Sequence, residues 1–384
     1  MTALKLSDDQ RQIQDLIRRV AQEKVAPRAN DIDRTGEYPQ DMFDLLCDLG
    51  LFALPFPSEQ GGADSLVSAC IAIEELGRVC YNTAYLLAVQ WTPFGAILAG
   101  GTAEQRDRWL PDLATGKMRA SISVTETQSG SDVGGIRTRA QRVAGGYRLS
   151  GSKVWCTGAS VSDYIFVAAK TGEDNTRAGI NLFRVPRDAG GLQIGRKEDK
   201  TGARGVPSHP LFLDDVFVPA DDCLGAEQGG FKLVMEAFNT ARPIHAARGV
   251  ALAQGAIDHA VAFIKHRSAF GQPVENFQGL RWMLADMEIQ TSAARAMVYG
   301  VAQAVDDGVT GKALAPMAAA AKCFATDTAM KVATDAVQLF GAAGITTDYP
   351  INRYMRDAKV LQIIEGTNQI QRNIVANALL GKAG

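Results

Sequence analysis

Charge of one sign, histidine and paired cysteines are all scarce in this chain, and each scarcity removes a class of function. Lysine and arginine number 40 against 42 aspartate and glutamate, a net charge of −2. That balance gives no electrostatic case for a nucleic acid or an anionic membrane as partner. Only four histidines occur, with no His-Glu-x-x-His, and the six cysteines (Cys47, Cys70, Cys80, Cys156, Cys223, Cys323) form no Cys-x-x-Cys. No metal site is expected. Scattered thiols suit a reducing compartment. No Gly-x-Gly-x-x-Gly follows a strand-like segment and no P-loop is present, which argues against a Rossmann nucleotide site. The long uncharged run from Tyr81 to Ala103 carries Asn82, Gln90, Thr92, Pro93 and Gly95. It reads as buried helices broken at Trp91–Gly95, not as a membrane span. Met1 to Gln10 is polar and leads into a helix without a signal-peptide pattern, so the expected location is cytoplasmic.

What is present divides the 384 residues into three textures. Residues 1–118 are helical in pattern, with Ile13, Leu16, Ile17, Val20 and then Met42, Leu45, Leu46, Leu49 at helical spacing. Residues 119–225 switch to short alternating runs: Arg119–Thr125, a hairpin from Ala140 to Leu149 across Ala144-Gly145-Gly146, then Tyr164–Val167, Ile180–Phe183, Leu192–Ile194 and Leu211–Leu213. Residues 226–384 return to long, alanine-rich helices, expected at Phe231–His266, Gln278–Asp306, Ala313–Phe340 and Asn368–Leu380 and packed as a bundle. Helices, then strands, then helices do not suit a doubly wound sheet, in which the two would alternate. The fold class is therefore α+β.

Five stretches carry residues with chemical potential. Ser123 to Gly135 holds Thr125, Gly130 and Ser131 in a turn-forming run whose N–H groups and hydroxyls can cradle an anion. Gly151 to Gly158 offers the flat face of Trp155 and the hydroxyl of Thr157, which share one side if the segment is a regular strand. Arg267-Ser268-Ala269-Phe270-Gly271-Gln272-Pro273, with Gln278 behind it, joins two long helices. Gln338 to Asp348 places Gly341 and Gly344 after a long helix, followed by Arg353 and Asp357. Finally, Glu365 follows an apolar run and precedes Gly366 and Thr367. A carboxylate there can lose solvation and become a stronger base. Gly366 permits close backbone approach, and Thr367 can cap the helix through Ile370 and Ile374. Alone, Glu365 reads as a surface glutamate at a helix boundary.

In order and spacing these stretches together resemble the acyl-CoA dehydrogenases, from about Leu6 to Leu380. Val124-Thr125-Glu126 with Gly130-Ser131-Asp132 is similar to that family's first signature, and Gln338 through Asp357 to its second. The resemblance implies an N-terminal α-helical domain, a middle β-barrel-like domain and a C-terminal four-helix bundle, with FAD lying between the last two. It implies that Thr125 meets the pyrimidine edge of the flavin, Trp155 packs on its ring and Thr157 reaches N5. Gly130 and Ser131 fall near the pyrophosphate, Ser131 also near the thioester ligand. Arg267, Phe270, Gln278 and Gln338 match positions at the FAD of a neighbouring subunit, so a homo-oligomer, as a tetramer, is implied, and Gly341 matches a cofactor-binding position. Thr367 and Gln369 match further FAD contacts.

Glu365 matches the catalytic base, and its backbone N–H would help to stabilise the enolate oxygen. The implied reaction converts an acyl-CoA to its trans-2-enoyl thioester, with electrons leaving to an electron-transferring flavoprotein. Gly366, Asn239 and Arg242 match substrate contacts. Asn239 and Arg242 are read as the start of a helix with Pro243 in its first turn. Some relatives carry the base near Ala241, where this chain has no carboxylate. Thr127 stands where a proline is usual, Ala342 where a glycine or serine is usual, and Ala313 near an arginine position of some relatives, with Lys312 beside it. Alternatives are an acyl carrier protein as carrier, an oxidase using O2, and a non-catalytic flavin-binding scaffold. A decarboxylating glutaryl-type reaction would need a cation deep in the acyl pocket, and Gln90 to Phe94, read as bordering that pocket, supplies none. Bulky Trp91 and Phe94 there suggest a short or branched acyl group.

Overall fold

Capping and apolar spacing start the first helices where the sequence pattern places them. In the computed structural model, which describes residues 6–171, 179–225 and 230–381, Ser7 and Gln10 form a capping box at the head of α1 (Asp8–Val20). Two short helices, α2 (Ala29–Thr35) and α3 (Gln40–Asp48), lead to α4 (Leu66–Gly77), α5 (Tyr81–Gly100) and α6 (Ala103–Ala114). Helix α4 is buried on every side and α5 nearly so. That explains the uncharged run, and among the described residues no helix is long and apolar enough to cross a membrane. The expected break at Trp91–Gly95 does not occur: α5 runs continuously with Pro93 inside it. Its neighbours hold it in place. Trp91 Nε1 donates to the Phe52 carbonyl at 2.8 Å, and Phe94 stacks on Phe56 with ring centroids 3.9 Å apart. Both side chains are thus buried in the core.

The middle segment is one curled seven-stranded sheet. Its strands are β1 (Ala120–Ser123), β2 (Arg139–Val143), β3 (Gly146–Thr157), β4 (Tyr164–Lys170), β5 (Ile180–Pro186), β6 (Leu192–Ile194) and β7 (Ser208–Pro219), in the order β1-β4-β2-β3-β7-β6 with β5 also on β4. The hairpin expected at Ala144-Gly145-Gly146 is present, with Val143 opposite Gly146. A separate two-stranded ribbon, β8 (Ser268–Ala269) and β9 (Gln272–Pro273), joins the first two helices of the last segment.

That segment comprises α7 (Gly230–Lys265), α8 (Gln278–Asp306), α9 (Gly311–Phe340), α10 (Ile351–Leu361) and α11 (Asn368–Leu380). The four long helices fall within a few residues of the expected spans, and α10 is an addition. Asn239 and Arg242 do not begin a helix. They lie well inside α7, and Pro243 is an interior proline. Its missing N–H leaves the Asn239 carbonyl without that partner, but packing against α4, α5, α8 and α9 carries the helix through. The two helical segments share one large apolar core running from Ile17 to Leu361, with a small satellite cluster around Val301 and Leu314, whereas the sheet has a further core around Leu149, Ile165, Phe183 and Leu211.

Candidate active site

Glu365 lies in the tight turn between α10 and α11, with φ at +57° and Gly366 behind it at +83°. A left-handed glutamate is uncommon and costs free energy unless its surroundings enforce it. Here two side chains hold the turn. Lys322 of α9 donates to the Gly366 carbonyl and to Asn368 Oδ1, each at 2.9 Å. Gln371 Nε2 donates to the carbonyls of Glu365 (3.1 Å) and Gly366 (3.0 Å). Thr367 caps α11 by accepting from the Ile370 N–H at 3.3 Å, while Gln369 points outward.

The Glu365 carboxyl is mostly buried, its side chain 17% exposed. Burial pushes its pKa above the ordinary glutamate value, against the pull of Arg248, Lys322 and Arg242. Its Oε1 is 3.5 Å from His245 Nε2, and its Oε2 has no partner among the described residues. The His245 tautomer follows from the other ring nitrogen. Arg248 Nη2 hydrogen-bonds Nδ1, and a guanidinium can only donate, so the ring proton sits on Nε2, facing Glu365. Burial and the flanking cations hold His245 well below its ordinary pKa, as a neutral ring. Arg242 hydrogen-bonds Asn239 Oδ1 and is also buried.

Trp155 and Thr157 do not follow simple strand alternation. The β3–β7 register shifts between Lys153 and Cys156, so Val154 and Trp155 together oppose one residue of β7, and Trp155 takes φ +61°. This bulge keeps Lys153 and Cys156 both buried although they are three apart, and it turns Trp155 out to 56% exposure. Thr125 lies beside it, since the Val154 N–H donates to the Thr125 carbonyl at 3.0 Å. Thr157 Oγ1 is 3.4 Å from Ser208 Oγ and half-buried. An exposed indole flanked by two half-buried hydroxyls suits a planar heterocycle with polar edges, so these residues fit a flavin. Gly130 and Ser131 are exposed on the adjoining turn.

Residues 199–207 tie this strand end to the segment carrying Glu365. The Gly158 N–H donates to the Pro207 carbonyl, Gly205 N–H to Asn82 Oδ1 of α5 at 3.0 Å, and Ala203 N–H to Asp357 Oδ1 of α10 at 2.7 Å. The remaining expected residues gather elsewhere. Arg267, Gln278, Gln338 and Gly341 lie exposed at the α7, α8 and α9 ends, where Phe263 stacks on Phe340 at 4.1 Å. Phe270 is 96% exposed at the tip of the β8–β9 ribbon. Sequence reasoning missed His245, Arg248, Lys322 and Gln371. A lysine in the run Ala318-Ala319-Ala320-Ala321-Lys322 and two basic residues on an otherwise apolar face of α7 were the available signals.

Comparison with known proteins gives matches along the whole chain. The N-terminal, middle and C-terminal domain models of acyl-CoA dehydrogenase match residues 7–117, 121–216 and 228–380. Cyclohexane-1-carbonyl-CoA dehydrogenase of Geobacter metallireducens is 40% identical, over 98% of this chain and 99% of that protein. The structure of butyryl-CoA dehydrogenase from Megasphaera elsdenii is similar with a TM-score of 0.95 at 34% identity, covering 99% of this chain and 100% of that one. A chain from the structural study of the electron transferring flavoprotein of Acidaminococcus fermentans matches at a TM-score of 0.94 and 35% identity, covering 99% and 100%. Among the described residues, no group of three His, Cys, Asp or Glu side chains could hold a metal ion.

Proposed function

The chain belongs to the acyl-CoA dehydrogenase family, and from that premise we propose that Glu365 is the base that takes the α proton of a bound acyl-CoA. The protein is an oxidoreductase and its cofactor is FAD. FAD, when bound, supplies the acceptor for the β hydrogen and the electron pair that leaves with it, so the product is a trans-2-enoyl thioester. The observation that carries this reading is the Glu365 carboxyl itself: buried, raised in pKa, and with one oxygen unpartnered. A carboxylate so placed is a stronger base than an ordinary glutamate. Its Oε2 is free to meet a C–H, while Oε1 lies 3.5 Å from the neutral His245 Nε2.

Asn239, Arg242 and the Gly366 backbone are the substrate contacts in this reading. Thr125, Gly130, Ser131, Trp155, Thr157, Thr367 and Gln369 face the cofactor. Arg267, Phe270, Gln278 and Gln338 serve the cofactor of a neighbouring subunit in a homotetramer, and Gly341 is a further cofactor-binding position. An exposed Phe270 with a positive φ of 52° supports a partner surface there. Electron-transferring flavoprotein is the acceptor, a reading supported by the match to the Acidaminococcus fermentans chain. Six unpaired cysteines support a reducing compartment, the cytoplasm.

The test is an anaerobic titration of the yellow holoprotein with a panel of acyl-CoAs, following loss of the oxidised-flavin absorbance. Glu365→Gln is expected to bind FAD and ligand but to bleach about 10²- to 10⁴-fold more slowly. Bleaching at the wild-type rate would remove Glu365 from the mechanism.

A further inference from the structure

The site holds more buried cations than its base can balance. Arg242, Arg248 and Lys322 all act on Glu365 electrostatically, and His245 between them is neutral. Three positive charges therefore face one carboxylate. Lys322 is satisfied by the Gly366 carbonyl and Asn368, and Arg242 has Asn239. Arg248 is different. It is completely buried, its sole hydrogen bond goes to a neutral imidazole, and its Nε and Nη1 have no partner among the described residues. The rings of Tyr85 and Tyr81, with centroids 4.0 and 5.2 Å from the guanidinium carbon, give partial compensation. The Tyr81 hydroxyl is likewise buried and unpartnered. A buried, half-paired guanidinium is costly, and it is a fork shaped for a carboxylate.

We infer that Arg248 and Tyr81 form an anion subsite for the distal end of the acyl group, so that the preferred substrate is a short acyl-CoA carrying a second carboxylate. The inference rests on the reading of Glu365 as the base and adds the substrate class. Its geometry sets the length. Arg248 lies one imidazole's width beyond the His245 edge that faces Glu365, so the carboxylate sits only a few carbons past the reacting pair. The position is walled by Tyr81, Tyr85 and His245. Sequence reasoning looked for a deep cation on α5 and found none. Packing supplies one from α7, set against the α5 tyrosines.

The experiment compares kcat/KM of the wild-type holoenzyme for succinyl-, glutaryl- and adipyl-CoA with butyryl-, pentanoyl- and hexanoyl-CoA of matching length. At least one carboxylated thioester is expected to exceed its neutral counterpart 10-fold or more. Arg248→Gln is expected to cut that ratio at least 100-fold, with Arg248→Lys intermediate. Faster turnover of every neutral thioester by the wild type would overturn the subsite while leaving Glu365 as base. An equal loss for both classes in Arg248→Gln would also overturn it, by making Arg248 a purely structural residue. If no thioester bleaches the flavin, the dehydrogenase reading beneath it falls as well. The wild-type panel decides the question even if the Arg248 variants do not fold.

Discussion

Glu365 keeps a left-handed backbone that costs a non-glycine residue about 1–2 kcal/mol, and Lys322 and Gln371 hold it there through the carbonyls of residues 365 and 366. The turn they hold sets the carboxyl 3.5 Å from His245 Nε2. Arg248, Lys322 and Arg242 favour the charged carboxylate, while burial opposes it; the Nε2–H of the neutral His245, 3.5 Å from Oε1, points its dipole the same way as the cations. Removing one favourable contribution should raise the Glu365 pKa further. In His245→Leu the acid limb of the kcat/KM–pH profile is therefore expected to move to higher pH, with kcat at pH 8 less affected than at pH 6. A limb that stays in place, or moves down, would show that His245 does not act on the base.

At the scale of elements, the bulge in β3 is held by a buried ion pair. Lys153 Nζ donates to Glu126 Oε1 at 2.8 Å and to the Val124 carbonyl at 3.1 Å. Glu126 also accepts from the Arg137 and Thr138 N–H groups and the Thr138 hydroxyl. Burial alone would raise its pKa, but Lys153 and these donors outweigh it and hold the carboxyl down at about 2. Lys153→Met leaves that charge without its cation and is expected to destabilise the fold by about 3–5 kcal/mol in denaturant unfolding. A loss under 1 kcal/mol would contradict the assignment. Helix α10 has the opposite case. Burial raises the Asp357 carboxyl to about 7, although the Ala203 N–H, Arg353 and Arg356 pull it down. Its folded pKa lies above its unfolded one, so its stabilising contribution is full below about 3.9 and is lost as pH rises through about 7. Asp357→Asn retains an acceptor for Ala203 and should flatten the fall in stability between pH 4 and 7. An unchanged slope would assign that fall to other groups.

Across the whole molecule, one face of α8 is left uncovered. Trp282 is 62% and Ile289 64% exposed, with Met297 along the same helix and Phe270 on the ribbon before it. Ala285, Ala293 and Ala296 fill the spaces between as further exposed residues. A continuous apolar stripe of this kind marks an association surface, and symmetric copies of the chain can bury it against one another. The double variant Trp282→Glu, Ile289→Glu is expected to lower the mass measured by light scattering and to weaken FAD retention. An unchanged mass would overturn this association surface. Retention enters because Gln278 and Phe270 adjoin the stripe.

The order of helical, sheet and helical segments is legible in the residues alone, because apolar periodicity and turn residues are local signals. So are the long helices α8, α9 and α11, and the residues that carry the family resemblance, Glu365 among them. Thr367 was legible as a cap because capping involves neighbours three residues apart. Tertiary structure alone decided the rest. Pro93 and Pro243 stay inside continuous helices because side-chain packing outweighs one missing hydrogen bond at each. The alternation of β3 fails at Trp155 because Lys153 must reach Glu126, which no two-residue period encodes. Above all, the charge around Glu365 comes from helices about forty and more than a hundred residues away in sequence, through Lys322, Arg242 and Arg248. A carboxylate's basicity depends on burial and on charges nearby in space, and neither distance along the chain nor residue type reveals them.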